Sequence, residues 1–419
     1  MSCRTSTLAV QSVTGQPLVY LGMVRIRQHA REVVLLTDPE QRSTLAAARA
    51  LGTRFKVHTI GASRGLAGYS RFVRRHHHSA SVDSGARAEY RREIAEIVRS
   101  EGVSVVVPLT DRASLDLLGF DDEVGCVIAG PSREAYERAS DKHGLMRVAG
   151  QIGMSVPMQV VLANRGEFPT WPGGGSVVVK PSHSVVAIHG KHHRLGVCYA
   201  QSQEQLEQVL EAFPDEAYPL LVQERVGGDG IGVFLLRRMQ TTAMAFAHRR
   251  IREKPPSGGV STYREAIAPP AELLAQSEAL LDALDYDGVA MIEFKQDAKS
   301  GRTYLMEINA RLWGSLQLAV DAGADFPTAL VEAALGRPPG EVQPVVGVRT
   351  VWELGEIDRA IALARHTAAT LSLPAGTPAG PSAALRSLFD RRWQDRNEVF
   401  RLHDPLPFAA ELLRWFTGR

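Results

Sequence analysis

Cysteine is scarce in this chain: three in 419 residues, Cys3, Cys126 and Cys198, widely scattered. They form neither a CxxC pair nor a disulfide framework, which excludes a disulfide-stapled secreted scaffold and fits a reducing compartment, with the cytoplasm as the default. An excess of one charge is also absent, since 48 basic side chains face 46 acidic ones for a formal net charge of +2. Bulk electrostatics therefore points to no nucleic-acid and no anionic-membrane partner, and any basic site must be local. Long apolar runs are missing too. Pro17 to Val24 is far too short to span a bilayer, and residues 1 to 30 lack the ordered pattern of a signal peptide; either Met1 or Met23 can serve as the start. No G-x-G-x-x-G follows the first expected strand, so a dinucleotide site has no motif. The histidine runs His76-His77-His78 and His192-His193 alternate faces on a strand and have no cysteine at zinc-like spacing, so they read as exposed loop imidazoles.

What is present is a chain too long for one typical core, which predicts two or three domains. From Glu32 strands and helices alternate: Val33 to Thr37, a helix over Ser43 to Leu51, Lys56 to Ile60, a helix over Ala86 to Ser100, then Val103 to Pro108. Alternation of this kind predicts an α/β, Rossmann-like parallel sheet, with ligands at the carboxyl ends of its strands, where Thr37-Asp38 and Leu109-Thr110-Asp111-Arg112 fall. A helical stretch over Ser132 to Ile152 follows. After it the pattern becomes α+β, with strands Ser176 to Lys180, Leu220 to Glu224, Gly232 to Leu236 and Ala243 to Ala247, and helices over Ser202 to Phe213 and Ala271 to Leu284. Pro338-Pro339-Gly340 marks a boundary. The expected organisation is an extension over 1–30, a Rossmann-like domain over 31–130, a two-lobed domain over 131–338 with its smaller lobe at about 155–226, and a mainly helical region over 339–419.

The most informative stretch is Gly288 to Lys295 followed by Tyr304 to Arg311. Each half is an apolar run of strand length with a carboxylate toward its end, Glu293 and Glu307, and the second adds Asn309 and Arg311 at alternate positions. Side chains alternate along a strand, so Glu307, Asn309 and Arg311 are expected to point one way, with Glu293 joining them from an antiparallel neighbour. Oxygen ligands of this kind suit Mg²⁺, and Arg311 could hold a phosphate or carboxylate through a bidentate contact. Lys180 ends a buried strand, where an ammonium is costly unless it meets an anion.

The order acid, then Glu-x-Asn-x-Arg, resembles the metal-binding end of the ATP-grasp superfamily. His248 to Gly259, Trp313-Gly314-Ser315-Leu316-Gln317 and Asp321 to Pro327 extend the resemblance to a branch similar to the carbamoyl-phosphate synthase large chain and to carboxylate–amine ligases, from about Val33 to Pro338. The resemblance implies that the Rossmann-like domain precedes an ATP-grasp domain whose two lobes hold ATP. It places Lys142 and Lys180 on the phosphates and a hinge at Gln223, Glu224 and Val226 that receives the adenine. Glu293, Glu307 and Asn309 would hold metal, two Mg²⁺ ions with Mn²⁺ as an admissible substitute. Arg311 and Arg250 would stabilise the transferring group. Ser182 to Leu195, which includes His183, His189 and Gly190, would be a flap over the phosphates. The glutamate that many members place beyond the hinge is missing, and Asp229 is its candidate substitute at the ribose. The implied activity is ADP-forming ligation of a small-molecule carboxylate to an amine through an acyl phosphate. Phosphotransfer to a hydroxyl and a non-catalytic ATP-binding module are the alternatives; a homodimer is allowed.

The segment His248 to Gly259 carries three arginines and a lysine next to a Pro/Gly-rich loop, Glu253 to Tyr263. Such a segment is expected to be a mobile lid, whose cations have nothing to neutralise until phosphate arrives and whose flanks Arg252 and Arg264 are open to trypsin. No side-chain nucleophile is required, since the substrate supplies it.

Overall fold

The computed structural model describes residues 31–170, 175–188, 191–340, 342–368, 370–373 and 377–418. The choice between Met1 and Met23, the 1–30 extension, and His189 and Gly190 of the expected flap lie outside them.

At the centre of the N-terminal sheet the strands Val33–Thr37 and Val103–Val107 are Val/Leu-rich and buried, the composition that parallel sheets demand. β1 (Val33–Thr37), α1 (Arg42–Leu51), β2 (Lys56–Gly61), β3 (Val73–His78), α2 (Ser81–Ser84), α3 (Arg87–Glu101), β4 (Val103–Val107), α4 (Asp111–Leu117), α5 (Asp121–Val124) and β5 (Val127–Ile128) give five parallel strands in the order β3-β2-β1-β4-β5. Strand β3 holds His76 to His78, which corrects the loop expectation. His77 Nε2 lies 3.2 Å from His58 Nδ1 and His76 Nδ1 lies 3.1 Å from Thr59 Oγ1. Burial, joined by Arg64 and its neighbouring imidazoles, pulls His76 down to about 4, so it is neutral.

The expected single helix over Ser132 to Ile152 is two, α6 (Arg133–Ser140) and α7 (Lys142–Gln151), broken where Asp141 leaves the helical region to cap α7. Next come β6 (Gln159–Leu162), β7 (Val177–Pro181), β8 (Val185–Ile188), β9 (Lys191–Arg194), β10 (Cys198–Ala200), α8 (Gln203–Ala212) and β11 (Leu220–Glu224). Strands β10-β7-β11-β6 form a small sheet, and β8-β9 stand apart as a hairpin.

The large sheet follows: β12 (Gly228–Arg238), β13 (Thr241–Lys254), β14 (Val260–Ile267), α9 (Ala271–Ala283), β15 (Gly288–Asp297), β16 (Thr303–Asn309), α10 (Leu316–Asp321), α11 (Phe326–Ala334), β17 (Arg349–Val351), α12 (Glu353–Arg365), α13 (Pro381–Phe389), β18 (Arg396–Asn397) and α14 (Leu406–Thr417). Its order is β16-β15-β12-β13-β14-β17-β18. The C-terminal region is thus not helix alone, since it adds β17 and β18 to the edge of this sheet.

Two apolar clusters run through the N-terminal and large sheets together. One joins Leu35 and Val106 to Val233 and Ile292; the other joins Leu36 and Val107 to Phe234 and the fully buried Trp313, whose ring lies 4.2 Å from that of Phe234. The carboxyl ends of β1 and β4 are thereby fixed beside the large sheet. No helix among the described residues is long and apolar enough to cross a membrane.

Candidate active site

Glu293 and Glu307 face each other directly across β15 and β16, and Asn309 lies opposite Met291. A register shift just after Glu293 interrupts the ladder, which resumes at Phe294 opposite Leu305. Asn309 Nδ2 donates to Glu307 Oε1 at 3.4 Å, so the two expected metal residues of β16 share one face. Two partly buried carboxylates this close cannot both ionise freely. Burial, with Glu307 and Glu253 nearby, raises Glu293 despite Arg250, whereas the burial of Glu307 is outweighed by Lys142 and Lys180, which lower it.

The two lysines are brought to Glu307 by one junction. Asp141 caps α7 and accepts from Ser182 Oγ, while the backbone N–H groups of Lys142 and His143 donate to Ser182 O (3.0 Å) and Oγ (3.0 Å) just beyond β7. This clamp sets the start of α7 against the end of β7, and hence Lys142 beside Lys180. Lys142 Nζ donates to Ser184 Oγ (2.5 Å) and lies 3.7 Å from Glu307 Oε2; Lys180 Nζ reaches Met306 O at 3.4 Å. Both are buried. Burial, helped by Lys142, pulls Lys180 down to about 8 in spite of Glu307 and Glu293.

At the expected hinge, β11 ends with Gln223 buried and its Nε2 donating to Gln159 Oε1 at 2.7 Å. Glu224 exchanges two bonds with Met158, its N donating to Met158 O (2.9 Å) and its Oε1 accepting from Met158 N (2.9 Å). Val226 is buried just past the strand. Asp229 is not brought to this cluster. It is exposed at the start of β12 opposite Gln296, and since Gly232 is the residue paired with Glu293, the pleat puts Asp229 on the other face of the sheet.

Arg311 corrects the strand expectation. β16 stops at Asn309, and the guanidinium turns to the N-terminal domain, donating from Nε and Nη2 to Asp111 Oδ1 (2.9 Å) and Oδ2 (2.8 Å). The bidentate contact exists, but its carboxylate is the protein's own. Burial disfavours the Asp111 carboxylate, yet Arg311 overrides this and holds it at about 2.

Arg250 donates to Glu253 Oε1 (2.9 Å) and Glu293 Oε2 (2.5 Å). It reaches Glu293 over β12, where a Cβ on Gly230 would sit 2.8 Å from Arg250 Cδ and one on Gly232 would sit 2.9 Å from His248 Nε2. The glycines stand where the resemblance leads one to expect a larger side chain, because their row is filled from β13.

The basic segment is not an open lid. β13 runs through Lys254 and β14 begins at Val260, leaving a turn of residues 255–259. Each of its cations already has a carboxylate, Arg249 with Glu265 (2.8 Å), Arg250 with Glu253 and Glu293, Arg252 with Glu356 (2.6 Å) and Lys254 with Asp358, and so has the flanking Arg264 with Glu398 (2.6 Å). Arg252 and Arg264 are buried. Sequence reasoning missed these partners because Glu356, Asp358 and Glu398 lie about a hundred residues away in the chain. It also missed Ser184 and Glu253 at the site; the proximity of Glu253 to Arg250 in sequence was the available signal.

The remaining flap residue of note is His192. Its Nδ1 lies 3.8 Å from Asp116 Oδ1 on the N-terminal domain, so the β8-β9 hairpin bridges to that domain and His192 is not an exposed imidazole.

Residues 216–358 match the family model described as ATP-grasp in the biosynthetic pathway with Ter operon. The N-terminal section of the carbamoyl phosphate synthase large chain of Methanopyrus kandleri is 24% identical over 265 residues, covering 58% of this chain and 45% of that protein. The chain thus matches less than half the length of this curated relative. N5-carboxyaminoimidazole ribonucleotide synthetase in its ADP complex aligns with a TM-score of 0.59 at 14% identity over 86% of this chain and 95% of its own. The L-amino acid ligase of Bacillus licheniformis aligns with a TM-score of 0.57 at 16% identity, covering 75% and 78%. Residues 216–358 thus match an ATP-grasp family model, the fold is that of these ligase structures, and the chain is similar in sequence to the carbamoyl-phosphate synthase large chain.

Proposed function

We propose that the chain is an ADP-forming carboxylate–amine ligase acting on Mg²⁺-ATP. The observation that carries the reading is the meeting of Glu293, Glu307 and Asn309 with Lys142 and Lys180 at the junction of the small and large sheets. A hard oxygen donor set beside two buried ammonium groups matches a divalent cation with phosphates. Glu293, Glu307 and Asn309 would hold the metal, which when bound offsets the charge of the phosphates. The depressed Lys180 and the opposed glutamates are costly as they stand, and a nucleotide with its cation would balance both.

In the proposed reaction a substrate carboxylate oxygen attacks the γ-phosphorus, the bond to the β,γ-bridging oxygen breaks, and ADP leaves. A neutral amine then attacks the acyl carbon, phosphate departs with its oxygen, and the nitrogen gives up a proton. Lys142 and Lys180 would neutralise phosphate oxygens, and Arg250, once parted from Glu293, would face the transferring group. Arg311 would act through Asp111 as a strut and not as a phosphate ligand. The backbone of Glu224 to Val226 would receive the adenine. The free thiols of Cys126 and Cys198 fit a reducing, cytoplasmic setting.

ADP release is to be measured with pooled small carboxylates, with and without hydroxylamine. Hydroxamate formation is the expected result. ADP release that gives a phosphorylated hydroxyl compound and no hydroxamate makes the chain a phosphotransferase, and nucleotide binding with no turnover in any pool makes it a binding module.

A further inference from the structure

A second polar cluster lies at the carboxyl ends of β1 and β4, outside the glutamate–lysine centre. Arg87 and Tyr90 stand three residues apart on α3, and Arg112 and Asp116 four apart on α4, so each pair shares a helix face. Asp38 joins them from the end of β1, in the left-handed region at φ 53°, a conformation that an aspartate adopts at some cost. Arg112 Nη2 bonds Asp38 Oδ1 at 3.0 Å and lies 3.9 Å (Nη1) from Asp116 Oδ2, and Arg87 Nε is 3.3 Å from Asp116 Oδ1.

Two oxygens in this cluster lack a hydrogen bond among the described residues: the hydroxyl of Tyr90, which is 1% exposed, and Oδ1 of Asp116, which is 4% exposed and has only the ion pair with Arg87 and the more distant His192. The Tyr90 ring lies under the Arg112 guanidinium, whose Cζ is 5.8 Å from the ring centroid, which places the phenol beside the Asp38–Arg112 pair. Burying a hydroxyl and a carboxylate oxygen without a well-aligned hydrogen bond is unfavourable in the free protein. Oxygens left without a hydrogen bond call for a ligand with N–H donors, and the carboxylate among them favours a charged one. Its cover is the β8-β9 hairpin, which pairs with no other described strand and rests on the cluster through His192. A lone two-stranded hairpin is marginally stable, which gives a ligand its way in.

We propose that this cluster binds a primary ammonium group of a substrate, with Asp116 Oδ1 and Tyr90 Oη as its acceptors. The inference rests on the ligase reading for its role: the ammonium belongs either to an amino acid activated at its carboxylate or to the attacking amine, which must first lose a proton. Three pools are to be compared by saturation-transfer NMR on the full chain with a non-hydrolysable ATP analogue: L-amino acids, their carboxamides and their N-acetyl derivatives. Binding of either of the first two, with the N-acetyl counterpart at least about tenfold weaker, is expected. Asp116→Asn and Tyr90→Phe should each weaken that binding about three- to tenfold. Tyr90→Phe should leave thermal stability unchanged or raised, because the deleted hydroxyl has no partner in the free protein. Equal binding of acetylated and free amines, no binding by any pool, or wild-type affinity in both variants overturns the proposal. ADP release with an amino acid alone identifies the activated acid, and release that needs a carboxylate plus a carboxamide identifies the amine. Ammonium-dependent binding with no ADP release under any combination defeats the ligase reading and leaves this site standing.

Discussion

The junction around Lys142 and Lys180 and the hairpin β13-β14 are both rich in buried cations, yet they are opposites. In the hairpin each guanidinium or ammonium meets a carboxylate, several of them from the C-terminal region. At the junction Lys180 reaches a single carbonyl at 3.4 Å and has no carboxylate within 4.0 Å among the described residues, and Lys142 lies 3.7 Å from Glu307. Density of positive charge along the sequence was therefore the wrong guide to a phosphate site. The better guide is a buried cation that the protein leaves without a close anion, since its desolvation cost is offset only when a ligand arrives. Arg250 belongs to both regions, standing in the hairpin while holding Glu293.

The comparison breaks most decisively at Glu307. Glu307→Gln should lower ADP formation about 10³-fold, since metal-based charge stabilisation is worth several kcal/mol, with an unchanged circular dichroism spectrum. Wild-type turnover in a folded variant would remove the metal assignment.

In the hairpin the expected loss is of stability and not of nucleotide binding. Arg252→Ala leaves Glu356 buried without its partner, so it should cost roughly 3–5 kcal/mol in urea unfolding while calorimetric ATP affinity stays within about twofold. Trypsin should spare Arg252 and Arg264 with or without ligands, because both are buried in paired strands. Ligand-dependent cleavage at either would restore the mobile lid.

Lys180 should behave in the opposite sense. Its depressed value means that, between about pH 8 and the ordinary lysine value of 10.5, the unfolded chain binds more protons than the folded one, so its contribution to stability rises with pH across that window. Below pH 8 the buried ammonium is a fixed penalty. Lys180→Met should therefore stabilise the free protein at pH 7 by roughly 1–3 kcal/mol, with the gain gone by about pH 10.5, and weaken ATP about tenfold or more while sparing AMP. A destabilised Lys180→Met protein, or equal losses for ATP and AMP, would move Lys180 out of the phosphate site. The smallest effect belongs to Arg249, whose side chain is 45% exposed: Arg249→Ala should change stability by less than about 0.5 kcal/mol.

The core of the fold could be read wherever apolar periodicity was strong. Val33–Thr37 and Leu220–Glu224 were legible to the residue, and Ala271–Ala283 nearly so, because burial on one or both faces leaves an unbroken or periodic apolar signature. Strand β3 was missed since Val73 to His78 is a polar edge strand, and β13 was cut short since its second half reads as a charged loop. The break at Asp141 was hidden inside a helical pattern, although an aspartate is a favoured N-cap residue.

The sequence by itself determined the parallel and antiparallel sheets, the opposed Glu293 and Glu307, and the face shared by Glu307 and Asn309. These follow from side-chain alternation along neighbouring strands, a property written locally. Only the tertiary structure decided where the cations go. Ser182 brings Lys142 to Lys180 across 38 residues, Asp111 takes Arg311 across 200, and Glu356 and Glu398 close the arginines of the hairpin across 104 and 134. A charge finds its partner through space, and in a buried setting that partner decides whether it is a ligand site or a strut.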